Sequence, residues 1–123
     1  MIRPALLLIL SLSTFSASAA WTEVTTSDEG DIHYVDFDTL KRDGSKRTVW
    51  RFTNFKKPFK TYYSSRTRDT FDCAQETITF LSLQVFTEHN LKGESVSPQM
   101  SGEVVHIPPN TVFSAVLRSV CSK

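Results

Sequence analysis

The sequence predicts an α+β domain, in which an antiparallel β-sheet of about six strands carries one C-terminal α-helix packed on a face. Two observations lead to this fold class. Stretches rich in β-branched and aromatic residues recur along the chain, separated by short clusters of Gly, Pro, Asp and Ser. Only the last segment changes from an alternating to a helical spacing of its apolar residues.

The first two strands form a predicted hairpin. Residues 21–26 alternate large apolar with polar side chains, which is typical of a half-buried strand. Residues 27–31 have turn chemistry, with side-chain acceptors and a glycine that can adopt positive φ. Residues 32–35 are therefore expected to return as the partner strand.

The HYVDFDTL segment at residues 33–40 raises the question of a catalytic carboxylate pair. Its Asp36 and Asp38 resemble the nucleophile loop of haloacid-dehalogenase-type phosphatases, where one carboxylate attacks and the other serves as acid and base. That site requires a parallel sheet with alternating helices, a pattern that this sequence does not have. We therefore expect Asp38 to cap a single helical turn over residues 39–42.

Residues 47–55 form the clearest predicted strand, and an Asp-Gly pair that favours chain reversal precedes it. Alternation places Trp50 and Phe52 on one face, and Arg51 and Thr53 on the other. The segment KKPFK at residues 56–60 is expected to end this strand, because proline cannot donate to a ladder.

Further strands are predicted in the second half of the chain. Residues 62–71 are polar and suit an exposed strand, followed by a bend at residues 72–75. Residues 77–87 are apolar on both faces, which is typical of a strand that is central in its sheet or covered on both sides. The two faces are formed by Ile78, Phe80 and Phe86, and by Leu81, Leu83 and Val85. Short strands are expected at residues 94–96 and 103–107.

The chain ends in a predicted helix. Residues 108–111, with the sequence PPNT, supply a stop and a cap. After them the apolar residues follow one stripe of a helix, formed by Val112, Phe113, Val116, Leu117 and Val120.

The two cysteines, Cys73 and Cys121, are expected to form a disulfide that pins the helix to the bend at residues 72–75. In an exported protein an even number of cysteines indicates a bridge rather than a metal site. Zinc would require about four ligands, and the three histidines are scattered without ligand spacing. We therefore expect neither a bound metal nor another cofactor.

Residues 1–20 have the layout of a secretory signal peptide, with one basic residue, a short apolar core and an Ala-x-Ala site. The apolar core is shorter than the roughly 20 residues that span a bilayer. We therefore expect one mature domain over residues 21–123, exported to the periplasm or secreted, with no membrane insertion. Since no cysteine lies near the cleavage point, we expect a protein that is not a lipoprotein.

Charge and motifs limit the possible functions of the mature chain. Removal of Arg3 leaves equal numbers of basic and acidic residues, so no global charge attracts nucleic acid or an anionic membrane. No serine lies in a Gly-x-Ser-x-Gly elbow, and no catalytic motif fits its structural context. A triad assembled from distant residues stays open at this level. We expect a protein that is not an enzyme.

The segment NFKKPFKTYYSSRTR is the best candidate for partner binding, because it forms a local basic patch interleaved with aromatic residues. Its candidate contact residues are Lys56, Lys57, Lys60, Tyr62, Tyr63, Arg66 and Arg68. Arginine and tyrosine together suit the recognition of a protein or a sulfated polysaccharide. The other interpretation is a solvated hairpin whose lysines keep an edge strand soluble.

The order of motifs resembles the surface-adhesin protein E family over essentially the whole mature chain. The matching stretches are HYVDFDTL and the tryptophans around it, then YYSSR and FDC, and finally PPNTVFSAVLRSVC. The resemblance implies a six-stranded antiparallel sheet with a C-terminal helix, and no catalytic role for HYVDFDTL. It also implies binding of host matrix or serum proteins such as vitronectin, laminin and plasminogen.

Two hypotheses for the function follow. The first is an exported, non-catalytic binding module that contacts host or envelope proteins, or polyanions, through the basic hairpin. The second is a periplasmic structural or envelope-stress protein that acts by self-association. In either case we expect a monomer or a weak homodimer and no nucleic-acid partner.

Overall fold

Residues 20–123 are described by a computed structural model, so residues 1–19 of the predicted signal peptide lie outside the described part. Within it, seven strands precede one helix, α1, at Val112–Cys121. The strands are β1 (Thr22–Thr26), β2 (Ile32–Asp43), β3 (Lys46–Phe59), β4 (Tyr62–Asp72), β5 (Thr77–Glu88), β6 (Lys92–Val96) and β7 (Val104–His106). The predicted α+β class is confirmed.

The strands form one antiparallel sheet in the order β1-β2-β3-β4-β5-β6. The last strand, β7, also pairs with β5, on the same side as β6. Val96 lies opposite Val85, and Val104 lies opposite Thr79 further along β5. Because β6 and β7 run in the same direction, they are two parts of one edge strand that residues 97–103 interrupt. The sheet therefore has six strand positions, in agreement with the expected number, and both short strands of this edge were expected from the sequence.

The prediction that Asp38 caps a helical turn is wrong, because β2 continues through this segment to Asp43. A register shift relative to β3 lies between Asp36 and Lys41. In this interval side-chain hydrogen bonds take the place of the regular backbone hydrogen bonds between the two strands. Thr39 Oγ1 donates to the Asp36 carbonyl at 2.7 Å and accepts from the Trp50 amide at 3.1 Å, while Asp36 Oδ1 accepts from the Asp38 amide at 3.1 Å. The Asp36 carboxylate and the Thr39 hydroxyl therefore stabilise a β-bulge.

The prediction that proline ends the third strand is also wrong. Strand β3 extends through Pro58 to Phe59, which pairs with Tyr62 across the hairpin. The register shifts between Asn54 and Phe59, so the regular ladder is already interrupted before the proline. A residue without an N–H is tolerated at such an irregular position.

Strand β4 is not the exposed strand that its polar sequence predicts, because it lies in the sheet between β3 and β5. Its alternate residues Ser65, Thr67, Asp69 and Phe71 are buried on one face, and Ser64 is buried on the other. Two of the buried hydroxyls have clear partners. Ser64 donates to the Glu88 carbonyl at 2.6 Å, and Thr67 donates to Asp69 Oδ2 at 2.9 Å.

A β-bulge changes the predicted faces of β5. Arg68 lies opposite Ser82, but Asp69 lies opposite Phe80, so Leu81 is the extra residue. This insertion moves Leu83 and Val85 to the face that carries Ile78 and Phe80 and moves Phe86 to the other, contrary to the predicted division. The strand itself and the bend before it agree with the sequence pattern. Both of its faces carry buried apolar residues, as the pattern also predicted.

Helix α1 packs on one face of the sheet, which we call the inner face; the opposite one is the outer face. The inner core consists of Val35, Val49, Phe71, Ile78, Ile107, Val116, Leu117 and Val120. The helix starts at a capping box, in which Thr111 Oγ1 accepts from the Ser114 amide at 3.2 Å and Ser114 Oγ accepts from the Thr111 amide at 2.9 Å.

A disulfide between Cys73 and Cys121 joins the end of α1 to the bend after β4, as predicted, with their Cα atoms 5.8 Å apart. The bridge closes a loop with a sequence separation of 48 residues. Closing a loop of this length stabilises the folded state by about 4 kcal/mol in the chain-entropy account. The helix is therefore fixed at its end by a covalent bond and at its start by its cap.

Candidate binding surface

The β3–β4 hairpin brings Lys56, Lys57 and Lys60 together at its end, where all three are exposed. Phe59 lies among them and is 60% exposed, which is unusual for a large apolar side chain. The chain reverses at Lys60, whose φ of 58° lies in the left-handed region. We call Lys56, Lys57, Phe59 and Lys60 the basic tip.

Two contacts with the β1–β2 turn hold the basic tip in place. The Lys56 amide donates to Asp31 Oδ1 at 3.0 Å. The aliphatic stem of Lys56 lies against Gly30 so closely that a Cβ on this glycine would stand 2.6 Å from Lys56 Cδ. With a φ of 92°, Gly30 also has a backbone conformation that other residues rarely adopt.

The charge of the basic tip is not neutralised by neighbours. In the part of the chain that the structure describes, none of the three ammonium groups forms an ion pair with a carboxylate. The Lys60 Nζ atom lies 5.8 Å from the centroid of the Phe59 ring, within the range of a cation–π contact. The tip therefore combines three available positive charges with one exposed aromatic ring.

Tyr62 and Tyr63 are the first residues of β4, directly after the turn, and are half-buried. The Tyr63 ring is tilted against the His89 ring, with 4.8 Å between centroids. His89 Nε2 lies 2.7 Å from the Phe55 carbonyl oxygen, to which it donates. Tyr63 is thus part of the packing that holds the hairpin to the β5–β6 turn.

Arg66 and Arg68 do not join the basic tip. They lie on the outer face in the middle of β4, opposite Phe52 and Trp50. At about 3.3 Å per residue, Arg66 lies about 13 Å along β4 from Tyr62, the first residue of the strand after the turn. The predicted patch of seven residues is therefore divided. Its lysines lie in the basic tip and its tyrosines at the start of β4, while its arginines belong to a second group, which we call the arginine site and define by Trp50, Arg66 and Arg68.

The inner face carries a polar cluster that the sequence patterns did not reveal. Arg51 Nε lies 2.7 Å from Asp69 Oδ2, and the two side chains are 5% and 0% exposed. Arg51 also lies near α1, with its Cζ atom 5.1 Å from the centroid of the Phe113 ring. The only sequence signal is that Arg51 and Thr53 alternate with Trp50 and Phe52. The helix covers this polar side of β3 and leaves the aromatic side on the outer face.

His33 extends the inner-face cluster. Its Nδ1 atom lies 3.1 Å from Thr53 Oγ1 and 3.5 Å from Arg51 Nη1. Burial, reinforced by the Arg51 charge and opposed by Asp31, lowers the pKa of His33 from 6.5 to about 4. The imidazole is therefore neutral at pH 7, and its Nδ1 faces the Arg51 guanidinium as an acceptor, because a guanidinium only donates.

The described residues also bear on metal and membrane sites. Among residues 20–123, no three His, Cys, Asp or Glu side chains are grouped so that they could hold a metal ion. No helix in this part of the chain is both long enough and apolar enough to cross a bilayer.

Asp36, the first carboxylate of HYVDFDTL, is 5% exposed and bonded to the backbone.

Comparison with solved structures identifies the fold. Crystal form II of Haemophilus influenzae protein E superposes with a TM-score of 0.65 at 14% identity, covering 85% of this chain and 89% of that chain. The selenomethionine form of Haemophilus influenzae protein E superposes with a TM-score of 0.64 at 14% identity, covering 85% of this chain and 88% of that chain. Protein E from non-typeable Haemophilus influenzae gives 0.60 at 13% identity, with 88% and 79% covered. No curated protein sequence matches the chain.

The family comparison extends over the whole described domain. The sequence model of the family described as surface-adhesin protein E matches residues 21–122. This match includes every strand, the helix and both cysteines of the disulfide. It agrees with the resemblance in HYVDFDTL and in the C-terminal helix. The chain belongs to the surface-adhesin protein E family.

Proposed function

We propose that the protein is an exported, non-catalytic binding module that contacts an acidic protein surface or a polyanion through the basic tip. The observation that carries this proposal is the grouping of three exposed, unpaired lysines around Phe59, at the end of a hairpin held to the β1–β2 turn. Family membership supports an adhesin-like role.

The chemistry of the basic tip suits a partner with distributed negative charge. Lysine is a mobile point charge, so three lysines match a charged surface without demanding one geometry. Exposed charges of this kind accelerate encounter, and salt screens them over about 10 Å. The exposed Phe59 ring adds apolar contact, which charge alone does not supply. Binding should therefore be fast and should weaken as salt concentration rises.

The non-catalytic part of the proposal rests on how the buried carboxylates are used. Asp36 stabilises the bulge in β2, and Asp69 is paired with Arg51 on the inner face. Export is supported by the disulfide, since such bonds persist mainly outside the reducing cytosol. Protein recovered from the cell envelope or the medium should begin at or near Trp21.

The experiment for the basic tip compares two triple charge reversals. Lys56→Glu, Lys57→Glu and Lys60→Glu are combined in one variant. Exposed lysines elsewhere, Lys41, Lys46 and Lys92, are changed to glutamate in the control, which alters net charge equally. Binding to immobilised heparin and to a panel of host matrix proteins is measured by surface plasmon resonance.

The tip variant should lose at least about tenfold in affinity, which corresponds to about 1.4 kcal/mol, while the control changes much less. Equal losses in both variants would show that only net charge matters and would refute a localised site. Retention of binding by the tip variant would refute the proposal directly.

A second candidate function, self-association as a structural or envelope-stress component, has an observation of its own. The interrupted edge of the sheet exposes Val96, Val104 and Val105, which are 48%, 61% and 40% exposed. Edge strands with exposed apolar side chains are templates for pairing with another chain. Sedimentation velocity over a range of concentrations tests this function. A dimer abolished by Val104→Lys and unaffected by the tip variant would favour it.

A further inference from the structure

We propose that the arginine site on the outer face is a second binding site, which takes an extended peptide segment of a partner protein with an acidic residue beside an apolar one. The site is formed by Trp50, Arg66 and Arg68 with the hollows on either side of the indole ring. It does not depend on the basic tip, which lies at the end of the same hairpin.

The Arg66 guanidinium is held in place before any ligand arrives. Its Cζ atom lies 5.4 Å from the centroid of the Trp50 ring. Its Nη2 donates to Gln84 Oε1 at 2.5 Å, and Gln84 Nε2 in turn donates to Ser95 Oγ at 3.0 Å. An arginine fixed by stacking and by hydrogen bonds loses little further freedom when it binds an anion, so it is preorganised.

This guanidinium still lacks a charged partner. Within residues 20–123, neither Arg66 nor Arg68 forms an ion pair with a carboxylate, and the buried Nε of Arg66 has no acceptor. A carboxylate is the natural complement, because its two oxygens match the planar fork of a guanidinium.

The hollow beside Arg66 has walls of mixed character, with apolar side chains next to polar ones. It has a volume of about 520 Å³ and lies where residues 97–103 interrupt the edge strand. Its lining includes Trp50, Arg66, Leu81, Gln84, Pro98 and Met100. Leu81, the extra residue of the β5 bulge, is 42% exposed. The charged group thus lies beside apolar side chains that can contact an apolar residue of a ligand, and polar side chains complete the hollow.

A second hollow of about 570 Å³ lies on the other side of Trp50 and contains Arg68. Its other lining residues include Asp38 and Lys41, which carry opposite charges, and Thr39, Leu40 and Thr48. Because Arg66 and Arg68 are alternate residues of β4, their Cα atoms are separated by about 7 Å on the same face. A single extended segment that crosses the indole can therefore meet both guanidinium groups.

These features favour a peptide over a polysaccharide. A sulfated sugar chain would satisfy the arginines but leave Leu81, Pro98 and Met100 against polar groups. A peptide with an acidic and an apolar side chain satisfies both, and tryptophan and arginine dominate the energetics of such protein contacts. The edge of β5 between Thr79 and Val85 has no paired strand, so an extended segment can also bond to its backbone.

The experiment uses the full mature domain and an array of blocked synthetic octapeptides. Each peptide combines aspartate or glutamate with leucine or valine, and each has a counterpart with asparagine or glutamine in place of the acid. The best acidic peptide is then titrated against Arg66→Gln, Arg66→Lys and Arg68→Gln. The Lys56→Gln, Lys57→Gln, Lys60→Gln triple variant serves as the control. Thermal unfolding verifies that every variant is folded.

We expect acidic peptides to bind at least about tenfold more tightly than their amide counterparts. Arg66→Gln should lower the affinity for the best acidic peptide by at least about tenfold. Arg66→Lys should stay weakened because it keeps the charge without the fork. In a Trp21→Phe background, the fluorescence of Trp50 should change on binding.

The lysine triple variant should retain peptide binding even though it loses heparin binding. The two measurements therefore distinguish an error in the proposal for the basic tip from an error in the proposal for the arginine site. Equal binding of acidic and amide peptides would overturn the proposal. An unchanged affinity in Arg66→Gln would do so as well. Binding of heparin fragments at Arg66 in the absence of peptide binding would assign the site to polysaccharide instead.

Discussion

Arg51 and Asp69 form a buried ion pair across β3 and β4, with 2.7 Å between Nε and Oδ2. The same arginine lies against the Phe113 ring at the start of α1. The inner face is therefore apolar where the helix packs and polar where the helix begins. This arrangement makes the pair a test of what holds the helix on the sheet.

Removing the Asp69 carboxylate should be strongly destabilising. Asp69→Ala leaves the Arg51 charge buried without a partner, which costs about 3–5 kcal/mol. Urea unfolding followed by circular dichroism measures the change. The control is Asp43→Ala at an exposed side chain. Replacing the pair together by Arg51→Met and Asp69→Leu should cost less than Asp69→Ala alone. A double variant as unstable as the single one would contradict this explanation.

His33 should make the fold sensitive to mild acid. Its pKa in the folded state, about 4, lies below the ordinary value of 6.5, so between these values the unfolded chain binds the additional proton. The stability that the neutral imidazole contributes is present above pH 6.5 and is lost as the pH falls towards 4. The loss amounts to up to about 3 kcal/mol.

Free energies of unfolding at pH 7.0, 5.5 and 4.0 test this dependence, with the wild type compared with His33→Asn. The variant should show a smaller decrease over this interval. His106→Asn, at an exposed histidine, is the matched control and should keep the wild-type dependence. Identical pH profiles for wild type and His33→Asn would rule out His33 as the source.

The elements that the sequence predicted well are those whose signals are local. The cap at Thr111 and the apolar stripe of α1 each act within a few residues, so the helix was predicted correctly. The Cys73–Cys121 bridge spans 48 residues, but two cysteines allow only one intramolecular pairing, so it too was predicted correctly. The turn at residues 27–31 was likewise predicted from its own side chains, and Gly30 adopts positive φ there.

The elements that were missed depend on partners distant in sequence. The bulge at Leu81 changes the face of Leu83 and Val85, and it is defined only by pairing with β4. The burial of Asp69 depends on Arg51, which lies 18 residues away along the chain. The sequence likewise suggested one basic patch. In the structure the lysines lie at the end of the hairpin and the arginines lie further along β4, because the strand continues well past the turn.

The disulfide should contribute a large part of the stability. Replacing Cys73 and Cys121 by serine removes a constraint worth about 4 kcal/mol in the chain-entropy account. Thermal unfolding of the wild type with and without dithiothreitol should show a much lower midpoint under reduction. The double serine variant should resemble the reduced wild type and should not respond to dithiothreitol. A midpoint unaffected by reduction would mean that the bridge does not hold the helix.

Gly30 should link the stability of the β1–β2 turn to the binding of the basic tip. Gly30→Ala introduces a Cβ that would stand 2.6 Å from Lys56 Cδ, at a φ of 92°. We expect a loss of about 2 kcal/mol in the free energy of unfolding and a weaker response to heparin, because Lys56 must move. Gly44→Ala is the matched control, since its φ is also positive, at 58°, but nothing lies within 4 Å of the added Cβ. It should lose about 1 kcal/mol through backbone strain and bind heparin as the wild type does. If both variants bind heparin equally well, the contact between Gly30 and Lys56 does not position the tip.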